Sequence, residues 1–351
     1  MSARHMEEGS NKAKQIGEER FLFMNRKKSV IARALAVSLV AVLLLTGCAG
    51  GDTADNYPQK NIEIICPYSA GGGSDLASRS IAEGFNEIFE VTTIVTNKTG
   101  GNGQVGGAYV LGKSDDPYTI LSANSGDIGG WMDAQVDYFD FQPIAIFAYD
   151  VNVLMVRDDS PFQTLQDLID EAKANPKSVV FGGTIIGSTD QILCQMLIEQ
   201  AGIDTEYVPF EGGNEVSSAL LGGHITASWS NPAEAVAQIE AGKLRALAVS
   251  SELRLETLPD IPTTVECGYP DLTFAQFRGL MIGKDVDPAI VAKLTDAVLQ
   301  VTQTEKFQQF AASKHWVINF KTPEEMREVI EEQDAIVRRI LGKPAVEAYE
   351  W

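Results

Sequence analysis

The segment Ile62-Glu-Ile-Ile-Cys-Pro-Tyr-Ser-Ala-Gly-Gly-Gly-Ser-Asp75 contains the first complete structural signal of the chain. Its apolar run Ile62–Cys66 predicts a buried strand, and the amphipathic pattern of residues 74–89 predicts the helix that follows. Glycines between them let the backbone turn so that several N–H groups converge at the positive end of the helix dipole. Residues 67–75 are therefore a candidate anion-binding loop without side-chain charge, and a plain capped strand–helix turn is an equal alternative.

Strands and helices alternate along the rest of the chain. Strands are predicted at 62–66, 92–96, 118–122, 141–149, 153–156, 179–181, 206–209, 226–230, 244–250, 274–282 and 316–320. Helices are predicted at 74–89, 104–111, 165–174, 189–201, 215–221, 232–242 and 288–301, with a last one opened by the cap at Thr322. Repeated βα units predict mostly parallel sheets with helices on both faces. Roughly 300 residues are too many for one core, so we expect two α/β domains with a cleft between them.

The composition excludes some classes of protein. There are 28 Lys+Arg and 48 Asp+Glu, which gives a formal net charge of −20. This balance argues against nucleic-acid binding, which needs clustered basic residues to neutralise phosphates. His5, His224 and His315 are far apart in the sequence, so a histidine-built metal site is not expected. A carboxylate ligand would have to be held by local groups against an unfavourable overall field.

The N-terminal segment has the pattern of an export signal. Basic residues in Met24-Asn-Arg-Lys-Lys-Ser29 precede an apolar run at 30–45, which ends Leu45-Thr-Gly-Cys48. This ending resembles a bacterial lipobox, which predicts lipidation of Cys48 and attachment to the outer face of the membrane. A transmembrane anchor is the alternative, but the run is short for the ~20 apolar residues that a span needs. We expect residues 1–23 to be an upstream extension before a start at Met24, and residues 48–56 to be a tether. The three cysteines after Cys48 cannot pair completely, and buried thiols are expected at Cys66 and Cys194.

Further glycine and polar loops follow predicted strands. Gly101-Asn-Gly-Gln-Val-Gly106 has the dinucleotide-binding spacing, but it follows the second strand of an exported chain. A glycine-rich turn that opens a helix is the preferred interpretation, and no cofactor is predicted. The other candidate loops are Asn124-Ser125, Gly187-Ser-Thr-Asp190, Phe210-Glu-Gly-Gly213 and Ser230-Asn231. Each has the composition of a simple helix cap, but ligands in open α/β sheets bind at the carboxyl ends of strands, so their recurrence there favours a cleft site.

Several motifs together resemble one family. They are Pro67-Tyr-x-x-Gly-Gly-Gly-Ser-Asp75, Gly100-Gly-Asn-Gly103, Val208-Pro-Phe-Glu-Gly-Gly213, Ala241-Gly-Lys-Leu-Arg-Ala-Leu-Ala-Val249 and Leu258-Pro-Asp-Ile-Pro-Thr263. In this order they resemble the Bug-type solute receptors of tripartite tricarboxylate transporters. The resemblance implies a two-domain periplasmic-binding-protein-like fold of type II, closing over a small ligand. It also implies a carboxylate held largely by backbone groups and ordered water, and delivery to a membrane permease.

The resemblance also implies domain limits and a binding site. Domain 1 is expected at 57–150 and 275–351, and domain 2 at 151–274. The loop from Tyr68 to Asp75 would grip one carboxylate, and the loop 187–189 would face it from the second domain. The predicted ligand-binding residues are Tyr68, Ser69, Ala70, Gly72, Gly73, Ser74, Asp75, Asn124, Ser125, Gly187, Ser188, Thr189, Glu211, Gly212, Asn231 and Arg278.

Two positions depart from the family pattern. Gln191 stands about where members often have His, and Glu211 stands where they often have Lys. A glutamate in the cleft would repel a di- or tricarboxylate and leave room for a ligand with an ammonium group, unless its side chain points to solvent. Arg278 is a candidate for a distal carboxylate, since guanidinium binds carboxylates bidentately, and a structural ion pair is an equal alternative.

Three functions are compatible with these patterns. The first is a lipid-anchored receptor that closes over a small carboxylate and delivers it to a permease, without catalysis. The second is an exported α/β enzyme, in which Ser74, Ser125 or Ser188 is the nucleophile and His224 the base. The third is a ligand-sensing subunit for a signalling kinase.

Overall fold

The computed structural model describes residues 54–132, 135–184, 187–210, 212–346, 348–349 and 351. The predicted signal segment, Cys48 and Glu211 lie outside the described residues. No described helix combines the length and the apolar character needed to cross a bilayer.

Two five-stranded mixed sheets organise the described part of the chain. The strands are β1 (Ile62–Cys66), β2 (Thr93–Asn97), β3 (Thr119–Asn124), β4 (Phe141–Asp150), β5 (Val153–Arg157), β6 (Val180–Gly183), β7 (Glu206–Pro209), β8 (Ala227–Ser230), β9 (Leu244–Val249) and β10 (Gln276–Gly283). The first sheet has the order β2-β1-β3-β10-β4 and the second has the order β7-β6-β8-β5-β9. In each sheet one strand, β10 or β5, runs antiparallel to both of its neighbours, so four of the five strands share one direction. The expected type II periplasmic-binding-protein-like fold, with mostly parallel sheets, is confirmed.

The helices follow the strands and cover both faces of each sheet. They are α1 (Gly73–Phe89), α2 (Gln104–Leu111), α3 (Ser125–Trp131), α4 (Leu165–Ala174), α5 (Thr189–Ala201), α6 (Gly213–Leu221), α7 (Pro232–Glu240), α8 (Pro288–Gln303), α9 (Glu305–Ser313) and α10 (Pro323–Ile340). Capping boxes begin α4 at Thr164 and α10 at Thr322, where the sequence predicts caps.

Side chains alternate between the two faces of each sheet, as strand geometry requires. In β10, Leu280 and Ile282 pack with Phe85 of α1 and Leu294 of α8, whereas Met281 belongs to the cluster of Met326 in α10. The second sheet divides in the same way between α4 and α5 on one face and α6 and α7 on the other. Every sheet face is therefore buried against helices.

The chain passes between the sheets at two places. It leaves β4 at Asp150 and enters β5 at Val153, so only Val151 and Asn152 separate the sheets there. It returns through residues 250–275 to β10, which lies between β3 and β4. The carboxyl ends of the parallel strands, where the candidate loops lie, consequently sit beside these crossings.

The structure lacks one predicted element and contains two helices that were not predicted. The strand predicted at 316–320 does not form, because only Val317 and Lys321 bridge β4, at Tyr149 and Ile146. The two bridges are four positions apart in this segment, from Val317 to Lys321, but only three positions apart in β4, from Ile146 to Tyr149. The residues between the bridges therefore cannot pair in register with β4. Helices α3 and α9 were not predicted, and α3 lacks an apolar period because three of its seven residues are glycine. Cys66 and Cys194 are buried free thiols, as expected.

Candidate functional site

A cavity of about 570 Å³ lies at the carboxyl ends of strands from both sheets. This volume is in the range of small-molecule sites. Twelve of the predicted ligand-binding residues line it: Tyr68, Ser69, Gly72, Gly73, Ser74, Asn124, Gly187, Ser188, Thr189, Gly212, Asn231 and Arg278. Ala70, Asp75 and Ser125 are not among its lining residues. The structure therefore brings together candidate loops that are far apart in the sequence.

Sequence reasoning did not name the other lining residues as ligand contacts, although Pro67, Asp190, Gly213 and Ser230 belong to loops that it selected as candidates. These other lining residues are Pro67, Thr99, Gly100, Asn102, Gly103, Gly126, Gly130, Asn152, Thr184, Asp190, Gly213, Val216, Trp229, Ser230 and Gln276. The turn at Gly100–Gly103 follows the carboxyl end of β2, so the rule that selected the other loops applies to it as well. Asn152 and Gln276 carry no local signal, because they lie where the chain crosses between the sheets.

Several helix N-termini contribute to the cavity wall. Its lining includes the N-cap residues Gly72 of α1, Gly103 of α2, Gly212 of α6 and Asn231 of α7, and none of these four caps its helix with a side chain. The N-caps of α3 and α5, Asn124 and Ser188, also line the cavity, but their side chains cap these helices. Side chains also cap α4, α8, α9 and α10, whose N-caps do not line the cavity. The first N–H groups of a helix have no partner within the helix and carry its positive partial charge. The uncapped ends therefore make the cavity wall favourable for an anion.

Asp75 holds the first glycine loop in place. Its buried carboxylate accepts hydrogen bonds from the Gly71 N–H at 2.9 Å, from Asn97 Nδ2 at 2.8 Å and from Arg79 at 2.9 Å. Burial alone would raise the pKa of Asp75, but these hydrogen bonds and the Arg79 charge bring it below its ordinary value. Asp75 thus shapes the loop from behind, and its carboxylate is occupied by protein groups.

Arg278 is both a structural ion pair and part of the cavity wall. Its Nη2 lies 2.6 Å from Asp150 Oδ2, and its Nη1 donates to Ser74 Oγ at 3.1 Å. A Cβ at Gly73 would lie 2.6 Å from Nη2, so a side chain here would require the guanidinium to move away from the α1 N-terminus. The structural alternative for Arg278 is present, and its charge is largely matched by Asp150.

A buried acid lies behind Tyr68. The half-buried Tyr68 ring lines the cavity and its hydroxyl donates to Asp127 Oδ1, while the Tyr138 hydroxyl lies 3.1 Å from Asp127 Oδ2. Burial raises the pKa of Asp127 to about 7, although hydrogen bonds from Tyr68, the Asn124 N–H and Tyr138 partly oppose the rise. The same burial and the nearby carboxylate raise the pKa of Tyr68 well above its ordinary value.

The second half of the wall is organised around α5. Ser188 caps the helix by accepting from the Gln191 N–H, and Gln191 Oε1 accepts from the Gly187 N–H at 2.6 Å. Gln191 therefore holds the Gly187 turn, which is a structural use for the residue that departs from the family pattern. Asp190 lines the cavity, but both of its oxygens accept from Thr184 Oγ1, at 2.9 and 3.0 Å.

The two halves of the site touch at glycine backbones. A Cβ at Gly129 of α3 would lie 2.6 Å from the carbonyl oxygen of Gly187. Gly129 follows β3 of the first sheet and Gly187 follows β6 of the second sheet. The absence of a side chain at Gly129 is what permits this contact between the two sides of the cavity.

The arrangement does not provide a nucleophile with a base. Ser74 Oγ is bonded by Arg278 and Asn124 Nδ2, and Ser125 Oγ accepts the Phe277 N–H at 2.9 Å. Neither His224 nor His315 is among the lining residues. Within the described residues, no group of three or more His, Cys, Asp and Glu side chains is placed to hold a metal ion.

Residues 77–344 match the family model described as "Tripartite tricarboxylate transporter family receptor", TctC. The chain belongs to this receptor family. The TctC match covers most of the α/β unit and includes every lining loop from the turn between β2 and α2 onward.

Individual relatives agree with the family match. The chain is 28% identical over 325 residues to "UPF0065 protein in gbd 5'region" of Cupriavidus necator, covering 90% of this chain and 98% of the relative. BugT of Bordetella pertussis is 27% identical over 310 residues, covering 86% and 94%. A solved TctC solute-binding protein from Polaromonas, without ligand, is 29% identical with a TM-score of 0.71, covering 82% and 99%.

The TctC family consists of extracytoplasmic solute-binding receptors and not of enzymes. The predicted Bug-type resemblance is therefore confirmed, and the exported-enzyme hypothesis is wrong. A solute-binding role follows for this chain from its family.

Proposed function

We propose that this receptor binds a small carboxylate in the cavity, is anchored to the membrane through lipidated Cys48, and delivers its ligand to a tripartite permease. The observation that carries the proposal is the presence in the cavity wall of four helix N-termini that no N-cap side chain caps. Such ends bind carboxylates through main-chain N–H groups without an ionised side chain.

The charges of the lining support the same class of ligand. Arg278 and Asp190 are the only formally charged side chains among the described lining residues, and both are bonded to other protein groups. In an acidic protein, helix ends are then the main local source of positive potential. A carboxylate is the ligand group that matches them.

Binding is proposed to act by closure of the two lobes, 57–150 with 275–351 and 151–274. The short connection through Val151 and Asn152 supports a hinge there, since few residues separate β4 from β5. A ligand that contacts lining residues of both sheets stabilises the closed arrangement, because it interacts less with an open one. A permease that distinguishes the two arrangements would accept only the loaded receptor.

A ligand screen tests the carboxylate. The full chain is mixed with succinate, glutarate, citrate, aspartate and glutamate, with the uncharged diamides of succinate and glutarate as controls. An acid at about 100 times its Kd stabilises the protein by about 2.7 kcal/mol, which raises the melting temperature by several degrees. No rise with any acid, or an equal rise with a diamide, would contradict the proposal.

A charge variant locates the binding. Ser69→Glu adds a carboxylate to the cavity wall, and Gln59→Glu adds one at an exposed residue that does not line it. Affinity for the acid should fall at least ~10-fold in the first variant and stay within about twofold in the second, since screened surface charges act weakly.

A separate variant tests the anchor. Cys48→Ser removes the proposed site of lipidation, so this variant should no longer partition into the detergent phase.

A further inference from the structure

A pair of asparagines forms part of the cavity wall away from the first glycine loop. Strands β5 and β8 are antiparallel, with Val153 opposite Ser230. Asn152 precedes Val153 and Asn231 follows Ser230, so the register places the two asparagines beside each other. Both line the cavity, together with Trp229 of β8.

These three side chains have buried polar atoms without partners. Among the described residues, nothing forms a hydrogen bond with Asn152 Oδ1, Asn231 Nδ2 or Trp229 Nε1. The side chains of Asn152 and Trp229 are nine-tenths or more buried, since the residues are 4% and 2% exposed. Buried polar groups are nearly always paired in folded proteins, because each unpaired one costs free energy.

The local structure does not require these side chains to be polar. The main chain of Asn152 is already fixed, because its N–H donates to Ser250 Oγ and its carbonyl accepts from the Ser250 N–H, both at 2.9 Å. Asn231 occupies the N-cap of α7, yet its side chain makes no capping hydrogen bond. The sequence predicts Asn231 as the N-cap before Pro232, and this position is confirmed, although its side chain does not do the capping. Asparagine is among the best capping residues, and α7 forgoes this stabilisation.

The unpaired atoms define the chemistry of a ligand group. Trp229 Nε1 and Asn231 Nδ2 donate, whereas Asn152 Oδ1 accepts. A carboxylate has no hydrogen for Asn152, and an ammonium group cannot accept from the two donors. A hydroxyl or a primary amide both donates and accepts. Val216 and the Trp229 indole add apolar surface for a short carbon chain.

We infer that Asn152, Trp229 and Asn231 form a specificity subsite for a ligand whose carboxylate is at one end and whose other end is a hydroxyl or carboxamide. The inference rests on the proposed function, because the helix ends must hold the carboxylate. It differs from the expectation of a di- or tricarboxylate, and it does not depend on the position of Glu211.

Acids that differ only in their far end provide the test. Affinities of the full chain are measured by calorimetry for succinate, 4-hydroxybutyrate, succinamate and butyrate, and for the corresponding five-carbon acids. In at least one of the two series, the hydroxy or amide acid should bind at least ~10-fold more tightly than the diacid and the unsubstituted acid, because only it pairs all three atoms.

Variants then assign the preference to these side chains. Trp229→Phe removes one donor and keeps the ring, and Asn152→Ala removes the acceptor; each should reduce the preference to within about threefold. Ser228→Ala is the matched control, because its hydroxyl is also buried and unpartnered but Ser228 does not line the cavity. It should keep the full preference, and melting curves verify that all variants are folded.

Two results would overturn the subsite in different ways. Tightest binding of the diacids, or an unchanged preference in both folded variants, refutes the subsite and leaves the carboxylate receptor standing. Absence of binding by every acid in both series refutes the carboxylate receptor, and the subsite with it.

Discussion

Replacing Gly129 by alanine should weaken ligand binding without damaging the ligand-free protein. The new Cβ would lie 2.6 Å from the Gly187 carbonyl oxygen and 3.3 Å from the Gly187 carbonyl carbon and Cα. These are backbone atoms, so no flexible side chain can move aside. In the proposed closure of the two lobes, this overlap belongs to the closed arrangement, and opening of the cleft would relieve it.

The size of the effect follows from the cost of overpacking. Forcing an extra methyl group into a packed contact costs about 1–3 kcal/mol. Confined to the closed state, this cost corresponds to roughly 5- to 150-fold weaker binding. In the open state alanine is the better helix former by about 0.5–1 kcal/mol. The melting temperature of the ligand-free variant should therefore stay unchanged or rise by ~1–4 °C.

Calorimetry with the best acid from the ligand screen measures this loss. Gly112→Ala is the control, because Gly112 is exposed, has helical φ and ψ at the end of α2, and its Cβ would meet no atom closer than 3.5 Å. The control should bind as the wild type does. The reasoning would be refuted if Gly129→Ala bound the acid within twofold of the wild-type affinity. It would also be refuted if the ligand-free variant lost as much free energy of unfolding as it lost in free energy of binding.

Two further predictions concern buried ionisable groups beside the cavity. Burial raises the pKa of Asp127 to about 7 in the folded protein, whereas its ordinary value, which applies to the unfolded chain, is 3.8. As the pH rises from about 4 to about 7, the unfolded chain releases this proton and the folded protein retains it, so the free energy of unfolding of the wild type decreases. Asp127→Asn stays neutral, and its melting temperature relative to wild type should rise by several degrees from pH 5 to pH 8; a constant difference would contradict the assignment. For the Asp150–Arg278 pair, alanine at either position should cost about 3–5 kcal/mol in chemical unfolding, because an unpaired charge remains buried. The double variant should cost clearly less than the sum, and additivity of the two losses would show that the pair does not interact.

Elements with strong local signals were predicted almost to the residue. Helix α5 begins at Thr189 and ends at Ala201, and α10 begins after the Thr322 cap, as the sequence indicates. Caps, proline at the first helical turn and amphipathic spacing act within a few residues, so they are readable without knowledge of the fold. The position of the glycine and polar loops after strands also follows from this order of elements, and it located eleven lining residues; Arg278, the twelfth, lies within β10 and was selected for its charge.

Local patterns do not show which distant partners a side chain meets. Asp75 is predicted from the sequence as a ligand contact, and in the structure its carboxylate accepts hydrogen bonds from Arg79 and Asn97. The segment 316–320 has the composition of a strand, but its spacing does not match that of β4. The partner of a side chain depends on the register of the strands and on where the chain crosses between the two sheets. Neither can be predicted from the composition of a short segment.

The sequence by itself determined the alternation of strands and helices, the glycine loops at strand ends and the family, because each depends on residues close together in the chain. Only the tertiary structure decided that Gly129 meets Gly187, that Arg278 is paired with Asp150, and that Asn152 lies beside Asn231 on a cavity wall. These contacts join residues from different strands and helices. They exist only after two sheets have been assembled from interleaved parts of one chain.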